Sequence, residues 1–301
     1  MIFSVSVDLD GLSCYAAIHG MDPAALSERS LRAVPEVAVQ RLCALFAEEQ
    51  IAGTFFAIGR ELELPGAAAA LGLAARAGHE VGSHSYSHDY ALSRLAPAAI
   101  EADLARAEHL IEAATGARPR GFRAPGYTLS PALLAAVRSR GYLYDSSLLP
   151  SPPYYLAKAA AIGLYALRRR PSQSILGGMG QLFAARRPHL RAGVRELPIA
   201  TLPLLRAPVF GTIVLGVGDQ LAARLLRWSA AAGHVNLELH GIDALDATDA
   251  DSAGLSQVQP GLRAKATDKL RRLRLALRSL KSLGEACTLE GAARRLWPEA
   301  A

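Results

Sequence analysis

The chain has 301 residues, 51% of them hydrophobic, which excludes a disordered protein and allows one large α/β domain with a sizeable core. Its net charge of +6 favours an acidic or phosphate-bearing partner, and no recognition motif or aromatic stacking platform accompanies it, so nucleic acid is not expected. Three scattered cysteines, Cys14, Cys43 and Cys287, exclude a disulfide framework or a CxxC metal site and suit a reducing compartment; no leader and no membrane-spanning apolar run is visible.

In chain order, Ile2–Asp8 predicts a strand that ends in two aspartates, Asp8 and Asp10, and the mixed stretch 11–35 reads as a loop over its end. Helical spacing of Val37, Leu42, Leu45 and Phe46 predicts a helix over 34–50. Residues 51–58 predict a buried strand. An alanine-rich helix over 67–77 follows, stopped by Gly78, and then a third strand over 79–83. A helix over 97–115 stops at Gly116, and Gly121–Arg123 is a short strand leading into Ala124-Pro125-Gly126. Ser130 as N-cap with Pro131 after it starts a helix to Arg140, and 141–145 is a fifth strand. The apolar runs 195–199, 212–217 and 234–239 supply the remaining strand candidates. Strand and helix in alternation predict a parallel sheet covered by helices, in one domain spanning 1–301.

Polar residues gather where these strands end, which is where a (β/α) barrel carries its chemistry: Asp8, Asp10, His84, Arg123, Asp145 and His240. His84 and His88, four apart, can project to one side of a helical turn and close on a single metal ion. With Asp10 they form a His/His/Asp set that leaves coordination positions open, as hydrolytic metal sites require. His79 reads as structural because it starts its strand. His19, His109, His189 and His234 read as surface or loop residues.

These residues resemble the polysaccharide deacetylase family of carbohydrate esterases. The resemblance rests on Ser6-Val7-Asp8-Leu9-Asp10-Gly11, Thr54-Phe55-Phe56, the string from Gly78 to His88, Phe122-Arg123-Ala124-Pro125-Gly126-Tyr127, Gly141 to Ser147 and Leu237-Glu238-Leu239-His240, in that order. It implies a distorted, incomplete (β/α)7-type barrel and a metal-dependent N-deacetylase or deformylase. Asp10, His84 and His88 would hold one divalent ion, with zinc the best match and cobalt, nickel, iron or manganese also suited to imidazole and carboxylate. Asp8 would be the general base, Arg123 would hold it ionised, and His240 would protonate the leaving amine. Asp145, or its rival Asp243, would orient His240. Pro125, Gly126 and Tyr127 would line the substrate site, with the Tyr127 N–H as an oxyanion donor.

From 146 to 195 there is no acidic residue, while Lys158, Arg168, Arg169, Arg170, Arg186, Arg187, Arg191 and Arg195 alternate with apolar clusters. Lying between two motifs, this insertion predicts a cap, and its basic and apolar mixture suits an anionic membrane surface or a glycolipid. A second basic helix over 262–283 reads as barrel cover with its basic residues outward. The resulting expectation is a cytoplasmic hydrolase, peripheral on the inner face of the membrane, that removes acetyl or formyl from an amino-sugar glycan or glycolipid. The alternatives are a soluble small-molecule amide hydrolase or a silent glycan- or lipid-binding module on the same fold.

Overall fold

The computed structural model describes residues 1–167, 175–176, 179–250 and 254–298. The arginine run Arg168, Arg169 and Arg170 lies outside them. Its strands are β1 (Ile2–Asp8), β2 (Thr54–Ala57), β3 (Glu80–Ser83), β4 (Gly121–Phe122), β5 (Tyr144–Asp145), β6 (His189–Arg191), β7 (Val194–Glu196), β8 (His234–His240) and β9 (Glu285–Ala286). They form one sheet in the order β6-β7-β5-β4-β3-β2-β1-β8, with β9 paired to β1. All pairings are parallel except the β6–β7 hairpin. The sheet curls into a half-barrel. Its two ends approach just past β7, where the Ala200 N–H donates to the Asn236 carbonyl at 3.0 Å.

Side-chain parity in β1 and β8 sets the character of the two faces. Phe3, Val5 and Val7, with Val235, Leu237 and Leu239, are fully buried and pack in the main apolar cluster with helix residues such as Leu42, Phe46 and Leu273. Each such side chain contributes roughly 1.5–3 kcal/mol on burial. The alternate residues, Ser4, Ser6 and Asp8 with His234, Asn236, Glu238 and His240, form the other set, because successive residues of a strand point to opposite faces. The parallel register places Ser4 beside Asn236, Ser6 beside Glu238 and Asp8 beside His240. These polar groups satisfy one another: Ser4 Oγ lies 3.0 Å from His234 Nε2, and Ser6 Oγ donates to Asn236 Oδ1 at 2.8 Å. His234 is therefore buried in the sheet interior, not on the surface as expected.

Three further expectations change. Residues 11–35 are not a plain loop but carry the helices Leu12–Ile18 and Glu28–Arg32. The run 212–217 lies in a helix, Gly211–Gly216, although its β-branched content reads as strand. The helix expected over 34–50 starts as a wide turn, Ala33–Ala38, containing Pro35, which has no N–H to donate, before continuing as Val39–Glu48. The helices Ala67–Arg76, Pro97–Thr115 and Pro131–Ser139 lie where their spacing and stop signals put them. The cap region contributes a helix, Pro152–Leu167, whose start enters the cleft described next.

Candidate active site

Asp8 is the last residue of β1, and Asp10 lies just beyond, where Leu9 N–H still pairs with the Phe56 carbonyl at 3.1 Å. β3 ends at Ser83, and His84 N–H bonds the Ala57 carbonyl at 2.9 Å. His84 and His88 are not on a helical turn. The chain turns irregularly, with Ser85 at φ 65° and His88 at φ 50°, in the left-handed region that β-carbons disfavour. Side chains hold it there. Asp103 accepts from the Tyr86 and Ser87 N–H groups at 2.8 and 3.0 Å, and Ser85 Oγ accepts from His88 N–H at 3.0 Å.

This turn brings His84 Nε2 to 3.4 Å and His88 Nε2 to 3.3 Å from Asp10 Oδ1. One atom each of Asp10, His84 and His88 lies within 4.8 Å of the others, all buried. Asp10 Oδ1 and His88 Nε2 have no protein hydrogen bond of ordinary geometry. His84 Nδ1 sits 2.7 Å from the Arg123 carbonyl, which can only accept; Nδ1 therefore carries the proton and Nε2 presents its lone pair. Burial alone would raise the Asp10 carboxyl, but the His88 and His84 rings outweigh it and hold it well below the usual carboxylate range. An anionic oxygen and two imidazole nitrogens converging on one another fit a divalent cation of borderline character.

Arg123 is 0% exposed, and each donor of its fork has an acceptor. Nη1 donates to Asp8 Oδ1 at 2.6 Å and faces Glu238 Oε1 at 3.5 Å. Nη2 donates to Ser6 Oγ and Ser146 Oγ, both at 2.9 Å, and Nε to the Ser146 carbonyl at 2.8 Å. The guanidinium also stacks 4.2 Å from the Phe56 ring centroid. Asp8 thus has one oxygen fixed by a charge-assisted bond, while Oδ2 lies 3.6 Å from His84 Nε2, facing the ligand cluster.

His240 ends β8. One ring nitrogen and one oxygen each of Asp8 and Glu238 lie within 4.8 Å of one another. Burial works against a charged His240 ring, yet the Glu238 carboxylate foremost, then Asp10, Asp8 and Asp243, raise it above the ordinary imidazole range. Glu238 itself is pushed up to about 8 by burial and by Asp8, while Arg123 pulls the other way. Its Oε2 accepts from the Tyr127 hydroxyl at 3.0 Å. Sequence reasoning quoted Glu238 inside a motif and gave it no role. The available signal was parity: two residues before His240 on one strand, it shares His240's face.

Of the two expected partners of His240, Asp243 packs against it, its backbone N–H donating to the His240 side chain, and Asp145 is engaged elsewhere. Asp145 is buried elsewhere: it accepts from Ser147 Oγ and shares a hydrogen bond with Glu196, its register neighbour on β7. Burial raises both of these carboxyls, and the neighbouring Asp145 raises Glu196 further. Asp243 accepts from the His240 backbone N–H at 3.0 Å. The Tyr127 N–H is likewise engaged, donating to the Ala124 carbonyl at 3.1 Å, so it is not free to bind an oxyanion. Gly126 sits at φ +58° with the Tyr90 ring so close that a β-carbon would lie 2.3 Å from it, which leaves glycine as the residue that fits.

The cluster opens into a cleft of about 800 Å³ walled by Tyr15, Tyr90, Tyr127, Tyr154 and Phe210. Tyr15, in the stretch read as loop, turns a buried hydroxyl without a protein partner toward this site. From the cap helix, Lys158 reaches in: Nζ donates to the Gly126 carbonyl at 3.2 Å and lies 5.8 and 5.9 Å from the Tyr90 and Tyr154 rings. Burial lowers its ammonium to about 8. The helix Ala266–Lys281 is not basic only on its outer side, because Lys269 turns inward and donates to the Ile242 and Gly261 carbonyls, both at 2.7 Å.

A curled parallel sheet carrying an Asp/His/His cluster and a buried Arg–Asp pair at its strand ends defines an α/β half-barrel of metal-site type. Residues 33–144 match the family model described as polysaccharide deacetylase. It is 31% identical over 160 residues to a peptidoglycan deacetylase of Helicobacter pylori, covering 52% of this chain and 53% of that protein. The chain thus spans about half the length of this curated relative. The fold is shared with a proposed polysaccharide deacetylase from Mycobacterium smegmatis, at TM-score 0.62 and 19% identity, over 98% of this chain and 89% of that one. It is also shared with a family 4 carbohydrate esterase from Streptomyces lividans solved with acetate, at TM-score 0.51 and 12% identity, over 95% and 91%.

Proposed function

We propose that the chain hydrolyses the N-acyl amide of an amino sugar, releasing acetate or formate, with a divalent metal held by Asp10, His84 and His88. The observation that supports this most directly is Asp8: one oxygen is tied to Arg123 and the other faces the three-ligand cluster, with His240 within reach of both carboxylates. When bound, the metal polarises the acyl carbonyl and eases deprotonation of water, zinc being the best match to the ligand set. Asp8 Oδ2 takes the proton of the attacking water, since a charge-assisted bond from Arg123 occupies Oδ1. His240 protonates the departing amine, and Glu238 favours its charged form. Tyr127, Gly126 and Tyr90 shape one wall of the sugar site, and the Tyr15 hydroxyl offers a hydrogen bond to it.

The substrate class is amphiphilic. The cleft walls are mainly aromatic and aliphatic, with the cations Lys158 and Lys269 among the lining residues, which suits an apolar chain beside a phosphate. Among the described residues no helix is long and apolar enough to cross a membrane, and the proposed placement is peripheral, at the inner face. The test is metal-dependent release of acetate or formate from N-acyl amino sugars, free and lipid-linked. Chelation, His84→Ala and His88→Ala are each expected to abolish release and, by elemental analysis, metal retention. Equal kcat/KM for lipidated and truncated substrates would favour the soluble amide hydrolase. No release from any of them, with metal bound, would favour the silent binding module.

Glu238→Gln gives a pH signature. His240 must be protonated to act, and Glu238 raises its folded-state affinity for the proton, so activity persists to higher pH with Glu238 than without it. The alkaline limb of the kcat–pH profile is therefore expected to move to lower pH in Glu238→Gln, with metal content unchanged. Asp145→Asn is expected to leave that limb in place. A limb that moved in Asp145→Asn and not in Glu238→Gln would return the orienting role to Asp145.

A further inference from the structure

Just past the sheet edge the chain forms a tight hairpin. Leu202 N–H donates to the Ala207 carbonyl at 2.9 Å, Val209 N–H donates to the Ala200 carbonyl at 2.8 Å, and Thr201 pairs with Pro208. Its tip, Pro203-Leu204-Leu205-Arg206, is held outward, with Arg206 at φ 52°. Leu204 is 94% exposed and Leu205 74%. A second turn is tied to the first: Arg206 Nη1 donates to the Ala184 carbonyl at 2.8 Å, and Arg186 donates to the Thr201 carbonyl and, at 3.0 Å, to Thr201 Oγ1. That turn presents Phe183, 73% exposed, with the Arg206 guanidinium 5.9 Å from its ring centroid. Burial, and then the nearby charges of Arg206 and Arg187, lower the Arg186 guanidinium. Between 146 and 218 the sequence holds a single acidic residue, Glu196, which is buried.

Two leucines and a phenylalanine on bonded turns, accompanied by arginines in a stretch whose one acidic residue is buried, have the composition of an interfacial element. The apolar tips gain by entering acyl chains, and guanidinium groups suit phosphate oxygens. A second copy of the chain is a poorer occupant, because a self-complementary contact would set three arginines against three arginines. The hairpin also leads directly to Phe210, which walls the cleft beside Tyr154 of the cap helix at a ring separation of 6.2 Å. A membrane seated on the hairpin would therefore lie beside the cleft mouth.

We propose that Leu204 and Leu205, with Phe183, Arg186, Arg187 and Arg206, are the element that docks this protein on an anionic phospholipid surface. This gives a physical seat to the amphiphilic-substrate reading above and rests on it for its purpose, not for its measurement. The experiment is co-sedimentation of the full chain with vesicles of phosphatidylcholine alone and of phosphatidylcholine mixed with phosphatidylglycerol. Binding is expected to the mixed vesicles, to weaken with salt, and to fall at least about tenfold in Leu204→Ser/Leu205→Ser, since both apolar side chains that would enter the acyl region are lost. Arg187→Gln, at an exposed position, should weaken binding to the mixed vesicles alone. Leu204→Trp should show a blue-shifted emission when those vesicles are added. Undiminished binding by the double variant, or no shift for Leu204→Trp, overturns the proposal, as does a wild-type dimer in sedimentation equilibrium that the double variant abolishes. Both positions are exposed and away from the catalytic cluster, so hydrolysis of a water-soluble N-acyl glycan should be unchanged in the double variant. A chain that binds vesicles but hydrolyses nothing would sink the proposed activity and leave the docking element standing.

Discussion

Asp8→Asn is expected to lower kcat by about 10²–10⁴-fold, the range a positioned general base contributes, while the purified protein retains its metal. Asp10→Asn is expected to do the opposite in the first instance: metal content falls, and activity falls because of it. The geometry separates the two roles although the residues are two apart. Asp8 Oδ1 is bonded to Arg123 at 2.6 Å, which leaves a single oxygen for chemistry. Asp10 Oδ1 lies 3.3–3.4 Å from both imidazole nitrogens, with no hydrogen bond of its own. Elemental analysis beside single-turnover rates decides the matter. Loss of metal in Asp8→Asn with retention in Asp10→Asn would reverse the assignment.

The second large effect is on stability. Arg123→Ala is expected to destabilise the fold by roughly 3–5 kcal/mol, because removing one member of a buried charge pair leaves the other uncompensated. Here it strands Asp8 next to Glu238, orphans the Ser146 carbonyl and removes one bond from each of two serine hydroxyls. Arg123→Lys is expected to recover only part of this, since one ammonium cannot reach five acceptors spread around a planar fork. Denaturant unfolding of the three proteins checks it: a midpoint for Arg123→Ala close to that of the parent would mean Asp8 and Glu238 are held apart by something other than the guanidinium.

Much of the architecture was legible because it rests on strong local signals. The alternation of strands with helices, the glycine stops at Gly78 and Gly116, and the Ser130-Pro131 helix start are short-range features, and the structure has helices where they put them. What escaped is set by tertiary context. The run 212–217 is β-branched and apolar, which a buried helix tolerates as readily as a strand. The His84–His88 turn is imposed by the Asp103 side chain from a different helix, invisible in the spacing of the histidines. The strand reading of Ile2–Asp8 made no use of its serine–valine alternation. The matching alternation in His234–His240 would have marked His234 as buried and Glu238 as a neighbour of His240.

That alternation has a consequence for which substitutions the protein can accept. At the odd positions of β1 and β8, Phe3, Val5, Val7, Val235, Leu237 and Leu239, the requirement is volume, and apolar exchanges of similar size should cost less than about 1.5 kcal/mol. At the even positions the requirement is identity, because Ser6, Asn236, Asp8 and Glu238 each hold a bond that a neighbour of different chemistry would leave open. Drift in this protein should therefore run along one face of two adjacent strands and stop at the other, so that neighbouring residues in sequence evolve under unrelated rules.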